Sequence, residues 1–136
     1  MMNTIKVRDF MATKVATLRP DMGASAALQI LIDNHQSGAP VVDDENHLLG
    51  ILSEADCMAS AFSGSYYDQE RSPVSEIMSN QELQTVTEET SLVAAAELML
   101  KYKRRMLPVI REGKVVGMIT RHHMLRSVLE TFNPTH

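Results

Sequence analysis

The chain contains the same three short blocks twice, in the same order and at nearly the same spacing. Val7-Arg8-Asp9-Phe10-Met11 is followed 67 residues later by Val74-Ser75-Glu76-Ile77-Met78. The other two pairs of blocks, at offsets of 68 and 67 residues, are 39–42 with 107–110 and 50–53 with 117–120. A duplicated unit usually folds about a pseudo-two-fold axis, so any binding site at the seam is expected to occur twice.

The first copy, residues 6–62, predicts the order strand, helix, strand, strand, helix. A short strand is expected near residues 15–18, and Asp21 is expected to cap the first helix. Two apolar runs flank a polar turn at residues 43–46, which is typical of a β-hairpin. Ser53 is then expected to cap the second helix.

The second copy, residues 73–128, repeats this order after a polar linker at residues 63–72. Thr90 and Thr120 are the expected caps of its two helices. We therefore predict a mixed α/β (α+β) fold. It consists of two β-α-β-β-α repeats related by a pseudo-two-fold axis, with small sheets packed against helices.

Composition narrows the class of protein. The net charge of −4 and the pI of about 5.7 argue against a nucleic-acid-binding protein, which needs a basic surface for phosphates. No apolar run approaches the roughly 20 residues that span a bilayer, and the first residues do not resemble a signal peptide. The single cysteine excludes a disulfide within the chain. Together these features predict a soluble, cytoplasmic protein with no membrane partner.

Two segments at matching positions carry a ligand-binding motif. Gly50-Ile51-Leu52-Ser53-Glu54-Ala55-Asp56 has the form Gly-x-x-Ser/Thr-x-x-Asp, and Gly117-Met118-Ile119-Thr120-Arg121-His122-His123 has it except for the last residue. With the two Pro-Val-like strands, these segments resemble a tandem pair of cystathionine-β-synthase (CBS) domains, or Bateman module, here as a stand-alone module. The resemblance covers nearly the whole chain, about residues 6–128.

The resemblance implies a regulatory function. CBS pairs bind adenosine-containing ligands such as AMP, ADP, ATP or S-adenosylmethionine in clefts between the repeats, and pass the response to an attached or partner protein. They commonly pair into flat homodimers through their helices. For this chain it implies an adenosine-nucleotide sensor with an unidentified effector partner. The alternative is a dimeric interaction scaffold whose clefts are vestigial and bind no nucleotide.

Ser53 and Asp56 are the principal candidate ligand-binding residues. A carboxylate at the start of a helix can accept hydrogen bonds from both hydroxyls of a ribose. The competing interpretation is a capping box, in which Ser53 and Asp56 bond each other's backbone amides. Both roles are compatible. His123, the counterpart of Asp56, cannot accept two bonds in this way, so we predict one strong nucleotide site per chain.

The second copy supplies the candidate phosphate ligands. Thr120 offers a hydroxyl at a helix N-terminus, which favours anions. The resemblance implies that Arg105, just before a strand, reaches a phosphate held at the motif of the other repeat. Arg121 and His122 follow Thr120 and are further candidates. The alternative for Arg105 is a solvated cation at a helix end.

The residues indicate neither catalysis nor a bound metal. His122 and His123 are adjacent, so on a helix they point apart. Cys57 has no activating histidine nearby in sequence and is expected to be a packed thiol. The sequence lacks a nucleophile elbow, P-loop, zinc signature and dinucleotide fingerprint. We therefore predict a binding module, not an enzyme, that requires no cofactor.

Overall fold

The computed structural model describes residues 4–63 and 72–132, so most of the predicted linker, residues 63–72, lies outside the described residues. The expectation of a mixed helix and strand fold is confirmed. A 3-10 helix at Val7–Asp9 precedes the other elements. These are α1 (Ala24–Asp33), β1 (Gly38–Val42), β2 (Leu48–Ser53), α2 (Glu54–Phe62), α3 (Val74–Ile77), α4 (Leu92–Tyr102), β3 (Met106–Arg111), β4 (Lys114–Thr120) and α5 (Arg121–Phe132).

The strands form two antiparallel hairpins, β1 with β2 and β3 with β4. The strand expected near residues 15–18 is reduced to a single parallel bridge between Leu18 and Val41. The Leu18 amide donates to the Pro40 carbonyl at 2.9 Å, and the Val42 amide donates to the Leu18 carbonyl at 2.9 Å. The second copy has the equivalent bridge between Val86 and Val109.

The chain divides into two compact units that do not coincide with the two repeats. The first unit is Ala16–Leu83, and the second comprises the residues up to Val15 and from Gln84 onward. Each unit has its own apolar core, and each core includes a residue from the start of the other repeat. Val74 packs with Leu18 and Leu52 in the first unit, and Val7 packs with Leu107 and Ile119 in the second.

We call residues 7–12 and 74–79, which pack in the unit of the other repeat, the exchanged segments. The motif glycines allow these segments to approach the hairpins closely. A Cβ atom at Gly50 would lie 2.8 Å from the Ser79 carbonyl oxygen, and one at Gly117 would lie 2.4 Å from the Ala12 carbonyl oxygen. Both distances are too short for a carbon–oxygen contact. The glycine of the ligand motif therefore has a packing role that does not depend on a ligand.

Two of the four expected helix caps are wrong. Gly23, not Asp21, is the N-cap of α1, and it makes no side-chain capping bond. At α4 the Ser91 hydroxyl accepts from the Ala94 amide at 3.1 Å. The Thr90 hydroxyl instead accepts from the Thr87 amide at 3.0 Å, because it closes the turn before the helix.

Candidate functional site

Ser53 and Asp56 form a complete capping box at the start of α2. The Ser53 amide donates to Asp56 Oδ2 at 2.9 Å, and the Asp56 amide donates to Ser53 Oγ at 3.1 Å. The structure thus confirms the expected cap. It also fixes the half-buried Asp56 carboxylate at the positive end of the helix, where an acceptor for ligand hydroxyls would be oriented in advance.

Asp56 also lines a shallow cavity of about 410 Å³ within the first unit. The rest of its described lining is Ala59, Ser60, Ser63, Ser72, Glu76 and Ile77. This lining contains two carboxylates, three serine hydroxyls and no lysine or arginine among the described residues. Such chemistry suits hydrogen-bond donors, such as sugar hydroxyls, and is unfavourable for a phosphate on its own.

In the second unit His123 occupies the capping position that Asp56 holds in the first. The Thr120 amide donates to His123 Nδ1 at 2.9 Å, and the His123 amide donates to Thr120 Oγ1 at 3.3 Å. Since Nδ1 accepts, the proton of the neutral ring lies on Nε2. This role was missed from the sequence, although both pairs have the same three-residue spacing.

Burial lowers the pKa of His123 below its usual value of 6.5, and the charges of Arg126 and His122 lower it further. The neutral ring, which is the form able to cap α5, is therefore favoured in the folded protein. The acceptor at Nδ1 is already used by the backbone. His123 thus does not reproduce the carboxylate that Asp56 offers to a ligand.

The other predicted site residues lie in the second unit. The Arg121 amide donates to the Arg105 carbonyl at 2.9 Å, which holds the two residues beside Thr120. Both arginine side chains line an open groove of about 560 Å³ between α4 and α5. The rest of its described lining is Ala96, Met99, Leu100, Lys103, Arg104, Met124 and Leu125. His122 is exposed and is not among these residues.

The structure thus groups Arg105, Thr120 and Arg121 in one unit, and Ser53 and Asp56 in the other. At the position equivalent to Arg105 in the first unit, the Ser37 carbonyl accepts from the Glu54 amide at 2.9 Å. The residue whose carbonyl makes this contact is therefore a cation, Arg105, in the second unit and a neutral residue, Ser37, in the first. The action of Arg105 on a ligand held by Asp56 stays a prediction.

Cys57 is buried, and its pKa is raised by burial and by the nearby charges of Asp56 and Glu54. This agrees with a packed thiol. Within residues 4–63 and 72–132, no group of three histidine, cysteine or carboxylate side chains is arranged to hold a metal ion. None of the described helices has the length and apolar character needed to cross a membrane.

Each unit combines a hairpin with helices and carries one copy of the motif. Comparison of the chain with models of known protein families identifies the class to which this arrangement belongs. The model of the CBS domain matches residues 7–62 and again residues 74–130. The chain therefore belongs to the CBS domain family, as a tandem pair of these domains, and the resemblance noted from the sequence is confirmed.

Several relatives share much of the chain. Inosine-5'-monophosphate dehydrogenase of Aquifex aeolicus is 38% identical over 105 residues, which cover 76% of this chain but only 20% of that protein. The crystal structure of Arabidopsis thaliana CBSX2 in complex with AMP is 30% identical, with a TM-score of 0.82, covering 95% of this chain and 99% of that one. The CBS domain pair of protein MJ0100, solved with 5'-methylthioadenosine and S-adenosyl-L-methionine, is 25% identical with a TM-score of 0.79, covering 90% and 98%.

Proposed function

We propose that this protein is a regulatory module that binds an adenosine-containing nucleotide of the AMP, ADP or ATP class, with S-adenosylmethionine as an alternative ligand. The observation that carries the proposal is the half-buried Asp56 carboxylate, fixed by Ser53 beside a cavity rich in hydrogen-bond acceptors. The AMP complex of the CBSX2 relative supports the class of ligand. We assign the ribose hydroxyls to Asp56 and a helix-terminus contact to Ser53.

A change made in the ligand tests whether Asp56 holds the ribose. Removal of the 2'-hydroxyl from the nucleotide should weaken binding to the wild-type protein by about 10- to 150-fold, since hydrogen bonds to charged groups contribute about 1.5–3 kcal/mol. In Asp56→Asn the nucleotide should bind more weakly, and the penalty for the 2'-deoxy analogue should shrink. Isothermal titration calorimetry of both ligands with both proteins measures this coupling.

His123→Asn is the matched control, because it changes the equivalent position of the second copy and keeps a capping acceptor. It should leave nucleotide affinity and the stoichiometry of one strong site per chain unchanged. An undiminished affinity in Asp56→Asn would contradict the assignment. Failure of AMP, ADP, ATP, S-adenosylmethionine and NAD to bind at all would overturn the proposal in favour of the interaction scaffold.

We further propose that Arg105 binds the phosphate of this ligand. It is exposed, its carbonyl accepts from the Arg121 amide beside Thr120, and its counterpart Ser37 is neutral. Arg105→Ala should weaken AMP binding and leave adenosine binding nearly unchanged. Equal losses for AMP and adenosine would show that Arg105 is structural. Thr120, Arg121 and His122 are secondary candidates, to be tested in the same way.

We also propose that the module works as a homodimer that passes the ligand signal to a separate effector protein. Exposed apolar side chains on the helices support this proposal, including Phe62, Leu100 and Phe132, which are 85%, 81% and 72% exposed. Burying them between two copies would remove apolar surface from water. Sedimentation equilibrium measures the association, and a monomer at all concentrations would contradict it.

A further inference from the structure

The two pairs of packed helices, α1 with α2 and α4 with α5, expose large apolar side chains at equivalent positions of the two repeats. Each of these six side chains is between 54% and 85% exposed. The matching pairs, 68 or 67 residues apart, are Ile32 with Leu100, Met58 with Leu125, and Phe62 with Leu129. A repeated pattern of this kind is typical of a surface that is covered by a partner.

The charges around these matching apolar residues are opposite in sign. Helices α1 and α2 contain three acidic residues and no lysine or arginine. Helices α4 and α5, with the turn at residues 103–105, contain six lysines and arginines and two glutamates. Asp33 on the first pair corresponds to Lys101 on the second, and Glu54 corresponds to Arg121. We call the exposed side of α1 and α2 the acidic face, and that of α4 and α5 the basic face.

Local helix electrostatics does not explain two of these charges. Asp33 is the last residue of α1 and Arg121 is the first residue of α5, so each has the sign that the helix dipole disfavours. No ion pair within residues 4–63 and 72–132 includes Asp33, Glu54, Lys101 or Arg121. Asp33 Oδ1 accepts from Gln29 Nε2 at 2.8 Å and Lys101 Nζ lies 5.3 Å from the centre of the Tyr102 ring, so these contacts leave all four charges unneutralised and exposed to a partner.

We infer that the acidic face of one copy docks on the basic face of a second copy, so that unlike faces meet. The inference rests on the homodimer proposed above and specifies its pairing. A pairing of like faces would bring Glu54 towards Glu54 and Arg121 towards Arg121, and such like-charge contacts disfavour association. Under a two-fold axis the contact between unlike faces occurs twice, which closes the assembly as a dimer.

Charge reversal tests this pairing. Asp33→Lys with Glu54→Arg makes both faces basic, and Lys101→Asp with Arg121→Glu makes both acidic. Each double variant should raise the dimer dissociation constant by at least ~10-fold, whereas the chain with all four changes should return to near the wild-type value. Salt should weaken the wild-type dimer, since it screens attraction between the faces. Circular dichroism of each variant checks that the fold is retained.

Cysteine cross-linking provides a measurement that does not depend on charge. Under the inferred pairing, Met58→Cys and Leu125→Cys chains form a mixed disulfide dimer when combined, and neither forms one efficiently alone. Efficient Met58→Cys self-cross-linking, or a dimer unaffected by both charge reversals, would overturn the pairing while leaving the homodimer intact. A wild-type monomer at all concentrations would overturn both. Nucleotide calorimetry on the wild-type, Met58→Cys and Leu125→Cys chains, which keep every proposed ligand residue, reports on the ligand site separately.

Discussion

Gly117→Ala tests whether the exchange of segments between repeats holds the second unit together. The added methyl carbon would lie 2.4 Å from the Ala12 carbonyl oxygen, whereas an ordinary contact begins near 3.4 Å. The two segments must therefore separate by about 1 Å. That shift would break the pair of hydrogen bonds between Ala12 and Met118, now 2.9 and 3.0 Å long.

Each such hydrogen bond contributes about 0.5–1.5 kcal/mol net, so the variant should lose about 1–3 kcal/mol of unfolding free energy. For a chain of this size, that loss corresponds to a fall in melting temperature of roughly 4–12 °C. Urea titration followed by circular dichroism measures the free energy, and scanning calorimetry measures the melting temperature.

Two other glycines serve as comparisons for Gly117→Ala. Gly50→Ala should be milder, because its nearest contact is the flexible Met78 side chain at 2.6 Å and the Ser79 carbonyl oxygen is 2.8 Å away. Gly23→Ala should change the free energy by less than about 1 kcal/mol, since its φ of −71° and ψ of 149° suit alanine. A Gly117→Ala protein as stable as the wild type would refute the argument from close approach.

Three further predictions follow from individual side chains. The neutral His123 ring contributes stability that is complete above about pH 6.5 and is lost as the pH falls through its lowered folded-state pKa, because protonation removes the acceptor for the Thr120 amide. His123→Asn should reduce the difference in melting temperature between about pH 7 and about pH 5, and an unchanged difference would exclude this ring as its source. Burial and the raised pKa of Cys57 should make iodoacetamide alkylation much slower in the native protein than in urea, and equal rates would contradict its burial. Ser91→Ala should lower the free energy of unfolding by about 1 kcal/mol through loss of its cap, measured by urea titration, and no change would indicate that the Ala94 amide finds another partner.

The repeated blocks were sufficient to predict the order of helices and hairpins, because each hairpin and each following helix is local in sequence. They could not predict that Val7 and Val74 pack in the unit of the other repeat. That choice depends on which hairpin each segment reaches, and hydrophobic periodicity has no information about it. The sequence feature that accompanies this exchange is the glycine at positions 50 and 117, where the exchanged segments approach closely.

The candidate site, like the fold, was predictable from the sequence only in part. The capping box of Ser53 and Asp56 was predictable, because a hydroxyl and a carboxylate three residues apart have a known local geometry. The matching role of His123 was not, since an imidazole caps a helix only in one tautomer and at one ring orientation. The position of Arg105 beside Arg121 depends on the register of the β3–β4 hairpin, which pairs Met106 with Thr120 and which the sequence leaves undetermined.

The exchanged segments also determine the order in which the cores of the two units can be completed during translation. Every buried core partner of Val74 in the first unit precedes it in sequence, and the partly buried Ile77 and Met78 follow it within four residues, so that core has all its residues soon after Val74 has emerged from the ribosome. Val7 shares its core with residues from Val86 to Met124, and Met124 is translated 117 residues after Val7. At ribosomal rates of about 5–20 residues per second, roughly 6–23 s pass between the synthesis of Val7 and that of Met124. During synthesis, the first unit can therefore complete its core long before the second unit does.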